Sequence, residues 1–178
     1  MTGNDGIHIR AIKVEDLELI VALFKETVHH VNAKDYTFEQ LLVWAPDHIH
    51  HSDDRWQSLL SNVAYLAEID NVIVGFADIT TEGYLDRLFV HKDYQRQGIA
   101  SMLTNKLELS LFERGVKKVT TEASITAKPF FEQMGYLVVK EQNKPRPGGV
   151  TLTNFLMEKR LGKDDGVPFK LVDLTHPH

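Results

Sequence analysis

The stretch YQRQGIAS, residues 94–101, leaves an alternating apolar segment and opens a long apolar-striped one. Between them lie Gln95, Arg96, Gln97 and Gly98. A helix N-terminus exposes about four unpaired N–H groups and carries roughly half a positive charge, and an anion satisfies both. Gly98 has no Cβ, so a phosphate can approach the backbone there. Ala100 and Ser101 are also small, and Arg96 can add charge-assisted contacts. A pyrophosphate is the ligand that suits this arrangement. The competing explanation is packing: Gly98 lets the helix approach a neighbour while Gln95, Gln97 and Arg96 are merely solvated. A short glycine motif alone does not separate the two.

Other reactive side chains are scattered. Asp86 stands between Leu85 and Leu88 in an otherwise apolar strand. Its bland explanation is an edge acid paired with Arg87 or Lys92. Glu122 lies near the end of a later strand. His29-His30 and the run from His48 to His51 lack zinc-ligand spacing such as His-Glu-x-x-His, so no metal is expected.

The elements that must position these residues follow from periodicity. Residues 7–12 alternate, with Ile7, Ile9 and Ala11 inward. From 15 to 31, Leu17, Ile20, Val21, Phe24 and Val28 recur at helical spacing. Thr37 and Gln40 form a capping box for a short helix that Pro46 ends. Residues 52–62 predict another short helix, capped by Ser52 or Asp53. The period then falls to two. Strands at 63–69 and 72–79 flank Asp70-Asn71, a hairpin turn that tolerates positive φ. A strand at 83–90, a helix at 95–114 ended by Gly115, and a strand at 116–123 follow. A short helix at 127–134 takes Pro129 in its first turn, and strands at 136–142 and 150–160 flank the loop NKPRPGG. This order predicts an α/β (α+β) single domain with a mixed, mostly antiparallel sheet. Residues 1–160 form that domain, and 161–178 form a tail docked by Phe169, Leu171 and Val172 or used at an oligomer interface.

Composition narrows the class. The chain has 178 residues and no cysteine, which excludes disulfides, cysteine nucleophiles and thiolate metal sites. No apolar run approaches the roughly 18–20 residues that cross a bilayer, and the N-terminus does not read as a secretory signal. A net charge of −5 without a basic stripe argues against nucleic acid. A cytoplasmic protein without membrane partner is expected.

LFVHKDYQRQGIASML and TTEASITAKPFFEQMGYLV, in this order and separation, resemble the two signature regions of the GNAT superfamily of acyl-CoA-dependent N-acetyltransferases. The resemblance runs from about Ile7 to Arg160. Together with the WAP and RW segments before the hairpin, it looks like a small bacterial branch.

The resemblance implies a sheet splayed between strands four and five, helices on both faces, and acetyl-CoA in the gap. Leu88, Phe89 and Val90 would pair with the pantetheine arm like an added strand. The Val90 N–H would face the thioester carbonyl. Amides from Arg96 through Gln97, Gly98, Ile99 and Ala100 to Ser101 would hold the pyrophosphate, with Gln95 and Arg96 at its rim. Phe130 and Phe131 would pack against pantetheine or serve as ordinary core aromatics. The acceptor would be a primary amine of a small molecule or peptide. Asp86 would be its base, with Glu122 second. The insert with Tyr36 and Trp44 would cover the acceptor, Trp44 attracting an ammonium or simply anchoring a helix.

Two positions depart from the family pattern. Phe131 stands where many members carry a tyrosine that protonates the leaving thiolate, and Ser124 replaces the usual Asn. Ser124 or a water would donate instead. The missing hydroxyl also leaves open a non-catalytic acyl-CoA-binding domain. An interaction module built on 32–62 or the tail is a further reading. A homodimer would form through 150–160 and the tail.

Overall fold

A computed structural model describes residues 6–162. The strands are β1 Ile7–Ala11, β2 Val63–Ile69, β3 Val72–Ile79, β4 Tyr84–Val90, β5 Lys118–Ser124, β6 Leu137–Arg146 and β7 Val150–Arg160. The helices are α1 Leu17–His30, α2 Phe38–Trp44, α3 Asp54–Gln57, α4 Ile99–Glu113 and α5 Lys128–Gln133. The strands form one sheet in the order β1-β2-β3-β4-β5-β7-β6. All neighbours are antiparallel except β4 and β5.

Apolar periodicity divides the helices between the two faces. Ile99, Leu103, Leu107 and Leu111 of α4 are all buried in one core cluster, together with Phe131 of α5. Leu17, Ile20, Val21, Phe24 and Val28 of α1, with Leu41 of α2 and Trp56 of α3, fill the other. Gly75 on β3 permits the close seating of α4: a Cβ there would meet Ile99 Cγ2 at 3.0 Å and the Phe89 carbonyl at 3.2 Å.

Local chemistry sets several boundaries. Thr37 Oγ1 accepts from the Gln40 N–H while Gln40 Oε1 accepts from the Thr37 N–H, the expected reciprocal cap. Asp70 and Asn71 both take positive φ, 49° and 64°, in the β2–β3 hairpin. Elsewhere the sequence reading needs correction. Ala11 is exposed, whereas Arg10 is half-buried against Asp16. The 52–62 helix breaks into α3 and a turn of 3-10 helix at Ser58–Leu60. β6 continues through Pro145 to Arg146, so the loop shrinks to 147–149. Proline is tolerated because β6 is an edge strand. β7 lies between β5 and β6 and pairs with both, with β5 over residues 154–160. Leu161 is buried and its N–H donates to the Lys117 carbonyl, so the packed chain extends past 160. The rest of the expected tail falls outside the described residues.

Candidate active site

The parallel pair β4–β5 joins only at Tyr84–Thr120 and Leu85–Thr121. Beyond that apex the strands diverge. The Thr121 hydroxyl pins the apex by donating to the Leu85 carbonyl at 2.9 Å. On the β3 side, His91 N–H donates to the Val74 carbonyl at 2.8 Å. Antiparallel alternation then turns the backbone groups of Phe89 toward β3 and those of Leu88 and Val90 toward the gap. The Val90 carbonyl is already taken by Gln95 Nε2 at 2.6 Å, which leaves its N–H facing the opening. Phe89 contributes its ring instead, edge-on to Phe24 and stacked near Phe76.

The β3–β4 ladder steps from Asp78–Arg87 to Ile79–Leu85. Asp86 is therefore the extra residue of a bulge. Below it, Arg87 is saturated: Nε and Nη2 donate to Asp78 at 2.8 and 2.6 Å, and Nη2 also donates to Ser58 Oγ. Asp86 approaches Arg87 Nη2 at 3.5 Å with its side chain 34% exposed. Burial raises the Asp86 carboxyl above its ordinary range; Arg87 and Arg55 pull it down, while Asp78 and Glu122 push it further up. Tyr84, two residues earlier, is pushed well up by burial and then by the charges of Glu122 and Asp86, so its hydroxyl keeps its proton. Glu122 is held from the other wall by Lys144 Nζ and, at 3.4 Å, by Asn154 Nδ2.

At the far end of β4 the chain makes a single 3-10 turn, then bends at Arg96 (φ 60°) and Gly98 (φ 82°). The helix opens at Ile99, not at Gln95 as its composition suggested. Among the described residues no side chain caps it, and its first helical bond runs from Met102 N–H to the Gly98 carbonyl. Among the described residues, a Cβ built on Gly98 would meet nothing within 4 Å beyond its chain neighbours. That removes helix packing as the reason for this glycine. Its reasons are the left-handed bend and the open concavity above it.

One cleft of about 1260 Å³ joins the Gly98 turn to the Asp86 bulge. It brings together Asp86, Glu122, Ser124, Leu88, Phe89 and Val90, the segment Gln95, Arg96, Gly98, Ile99, Ala100 and Ser101, and Phe130, Tyr36 and Trp44. Gln97 is exposed beside the cleft and does not line it. Ser124 Oγ accepts from Ala127 N–H at 3.0 Å, which leaves its own proton free to donate. Phe131 is buried in the core at 2% exposure. The Tyr36 hydroxyl is fully engaged, donating to the Thr153 carbonyl and accepting from Ile125 N–H, so the residue braces the cleft wall. Tyr84, Arg55 and Arg146 also line the cleft and escaped the sequence reading. Tyr84 was reachable by stepping back two residues from Asp86; the arginines carry no local signal. Among the described residues no three His, Asp or Glu side chains converge as metal ligands.

The profile of the family described as "Acetyltransferase (GNAT) domain" matches residues 32–160. This chain belongs to the GNAT acetyltransferase family. It is 35% identical over 154 residues to the uncharacterized N-acetyltransferase YafP of Escherichia coli K12, covering 86% of this chain and 95% of that one. Its fold matches a GCN5-related N-acetyltransferase structure from Rhodopseudomonas palustris at TM-score 0.80 and 28% identity, over 88% and 96% of the two chains. The fold also matches PaiA N-acetyltransferase of Thermoplasma acidophilum, solved with coenzyme A, at TM-score 0.69 and 20% identity, over 87% and 99%. GNAT membership makes the protein an acetyltransferase with acetyl-CoA as donor.

Proposed function

We propose that the protein moves the acetyl group of acetyl-CoA directly to a primary amine of a small molecule or peptide, in a ternary complex, in the cytoplasm. The observation that carries this reading is the single cleft running from the uncapped N-terminus of α4 to the carboxylates at the β4–β5 apex. Pyrophosphate takes the N–H groups after Arg96, and pantetheine lies along the open edge of β4 at Leu88 and Val90.

The acceptor arrives as an ammonium, with a pKa near ~10.4 for a lysine-like amine. Asp86 takes one proton, directly or through water, and its raised carboxyl makes it a better base than an exposed aspartate. The free amine attacks the thioester carbonyl. Oxyanion charge develops against the Val90 N–H, a contact whose loss typically costs about 3–4 kcal/mol. As the C–S bond breaks, the nitrogen gives up its second proton and the thiolate gains one. Ser124, whose hydroxyl proton is uncommitted, or a water carries it. The products are an N-acetyl amine, CoA thiol and the proton on Asp86, which returns to solvent. Tyr84 keeps its proton and orients Glu122 or the incoming amine.

The test is turnover of acetyl-CoA with an amine panel, followed by thiol release. Asp86→Asn should lower kcat while leaving acetyl-CoA affinity unchanged. Equal loss in both would make Asp86 a cofactor-binding residue and sink the base assignment.

A further inference from the structure

The acceptor end of the cleft carries two guanidinium groups that the reaction above does not use. Arg55 lies at the start of α3 and Arg146 at the end of β6, and both line the cleft beside Tyr84, Asp86 and Glu122. Neither guanidinium has a hydrogen bond or an ion pair within 4 Å among the described residues, and both residues are exposed to the opening. The Arg55 guanidinium instead lies 5.8 Å from the ring centroids of Phe24 and Trp56, a mounting that fixes its plane without using its donors. Arg146 is held by the hairpin that β6 makes with β7, pairing opposite Val150. The neighbouring Pro147 lines the same opening.

Two arginines that share one mouth repel each other. Burial is the largest influence on Arg55 and weakens its hold on its proton; the charge of Asp86 opposes this, and Arg87 and Arg146 add to it. The chain as a whole is net −5, so this positive pair runs against the overall charge. An oxyanion would take their free donors in the bidentate geometry that guanidinium offers. Arg87 offers a contrast in the same wall: it also approaches Asp86, but its donors are consumed by Asp78, Ser58 and the Arg55 carbonyl.

Resting on the acetyltransferase reading above, we infer that the acceptor is an anionic amine: its amino group meets Asp86 and Glu122 while a carboxylate or phosphate on the same molecule is held by Arg55 and Arg146. The site thus pairs opposite charges at both ends of the acceptor. An amine without the anion leaves the arginines repelling one another, and one with a second cation meets them directly. Cofactor phosphate is not the partner. The turn that receives it follows Val90, four residues of extended strand beyond Asp86, or roughly 13 Å at the usual rise.

The experiment uses the full chain, acetyl-CoA and matched acceptors assayed by thiol release. The panel holds α- and ω-amino acids, their amides, their decarboxylated amines, and an aminoalkyl phosphate; the last arm separates carboxylate from phosphate recognition. The expected result is at least a tenfold higher kcat/KM for anionic amines than for the neutral or decarboxylated partners. Arg146→Gln should erase most of that preference through KM, with kcat/KM for the decarboxylated amine and the acetyl-CoA Kd both within twofold of wild type. Arg55→Gln should behave alike, and Arg55→Lys should restore part of the preference even if the glutamine variant folds poorly.

Equal rates across the matched set would overturn the inference, as would an Arg146→Gln variant that keeps the wild-type preference. So would intact acetyl-CoA binding with turnover of neutral amines only, or of no anionic amine at all. A rise in acetyl-CoA Kd in Arg146→Gln would reassign that residue to the cofactor. Failure of the underlying reading looks different: wild-type protein would then bind no acetyl-CoA.

Discussion

Gly98 offers the sharpest perturbation, because the structure separates its folding role from its binding role. Its φ of 82° places any other residue in the left-handed region, at roughly 1–2 kcal/mol for a residue with a Cβ and less for asparagine. Apart from its chain neighbours, no atom of the described residues lies within 4 Å of the added Cβ, so no clash with them adds to that cost. Gly98→Asn should therefore shift Tm by no more than about 3 °C for a chain of this size. Its side chain occupies the concavity in front of the Ile99, Ala100 and Ser101 N–H groups. Hydrogen bonds to a charged ligand are worth about 1.5–3 kcal/mol each, so losing two costs about 3–6 kcal/mol. At about 1.4 kcal/mol per decade, the acetyl-CoA Kd should rise at least 100-fold. Gly98→Glu adds a negative charge and should abolish binding. Calorimetry with acetyl-CoA reads the effect, and acetyl-pantetheine, which lacks the pyrophosphate, serves as control and should bind both proteins alike. A folded Gly98→Asn protein with wild-type affinity for acetyl-CoA would refute the anion cradle.

Three further outcomes follow from the same geometry. Because burial raises the folded-state Asp86 carboxyl, the folded chain binds its proton more tightly than the unfolded chain, so this group costs stability once pH rises through that raised value. Asp86→Asn should accordingly keep or raise Tm at neutral pH and flatten the acidic limb of the kcat/KM profile, where wild type gains rate as the carboxyl ionises; an unchanged acidic limb would remove Asp86 as the base. Tyr36→Phe leaves the Thr153 carbonyl and the Ile125 N–H without their partner and should cost about 1–3 kcal/mol in denaturant titration, whereas a neutral result would mean the hydroxyl braces nothing. Glu108 is 2% exposed and accepts from the Tyr136 hydroxyl and Lys159 Nζ at 2.8 and 2.9 Å, so Glu108→Ala should destabilise by about 3 kcal/mol with little change in acetyl-CoA affinity per folded molecule.

What was legible in the sequence had local causes. The Asp70-Asn71 turn, the Thr37–Gln40 cap and the Ile99-Leu103-Leu107-Leu111 row each depend on neighbours a few residues away. The helix start at Ile99 was not legible, because Gln95, Arg96 and Gln97 are good helix formers in the right register. The fold overrides them: Gln95 turns back onto the Val90 carbonyl, and Arg96 is carried into positive φ. β6 ran past Pro145 for a reason invisible in composition, its place at the sheet edge. Asp86 stood out as an acid among apolar residues, but its bulge depends on the register of β3 against β4. Arg55 and Arg146 are 91 positions apart and meet only because the β6–β7 hairpin and α3 border the same cleft. No local pattern encodes such a meeting.

The most direct test of the account is calorimetric titration of the wild-type protein with acetyl-CoA and with CoA. The account predicts saturable one-to-one binding of both, with micromolar Kd and an anion-dependent loss in competing pyrophosphate. No binding at millimolar cofactor would contradict it, and the open concavity above Gly98 would then hold no nucleotide.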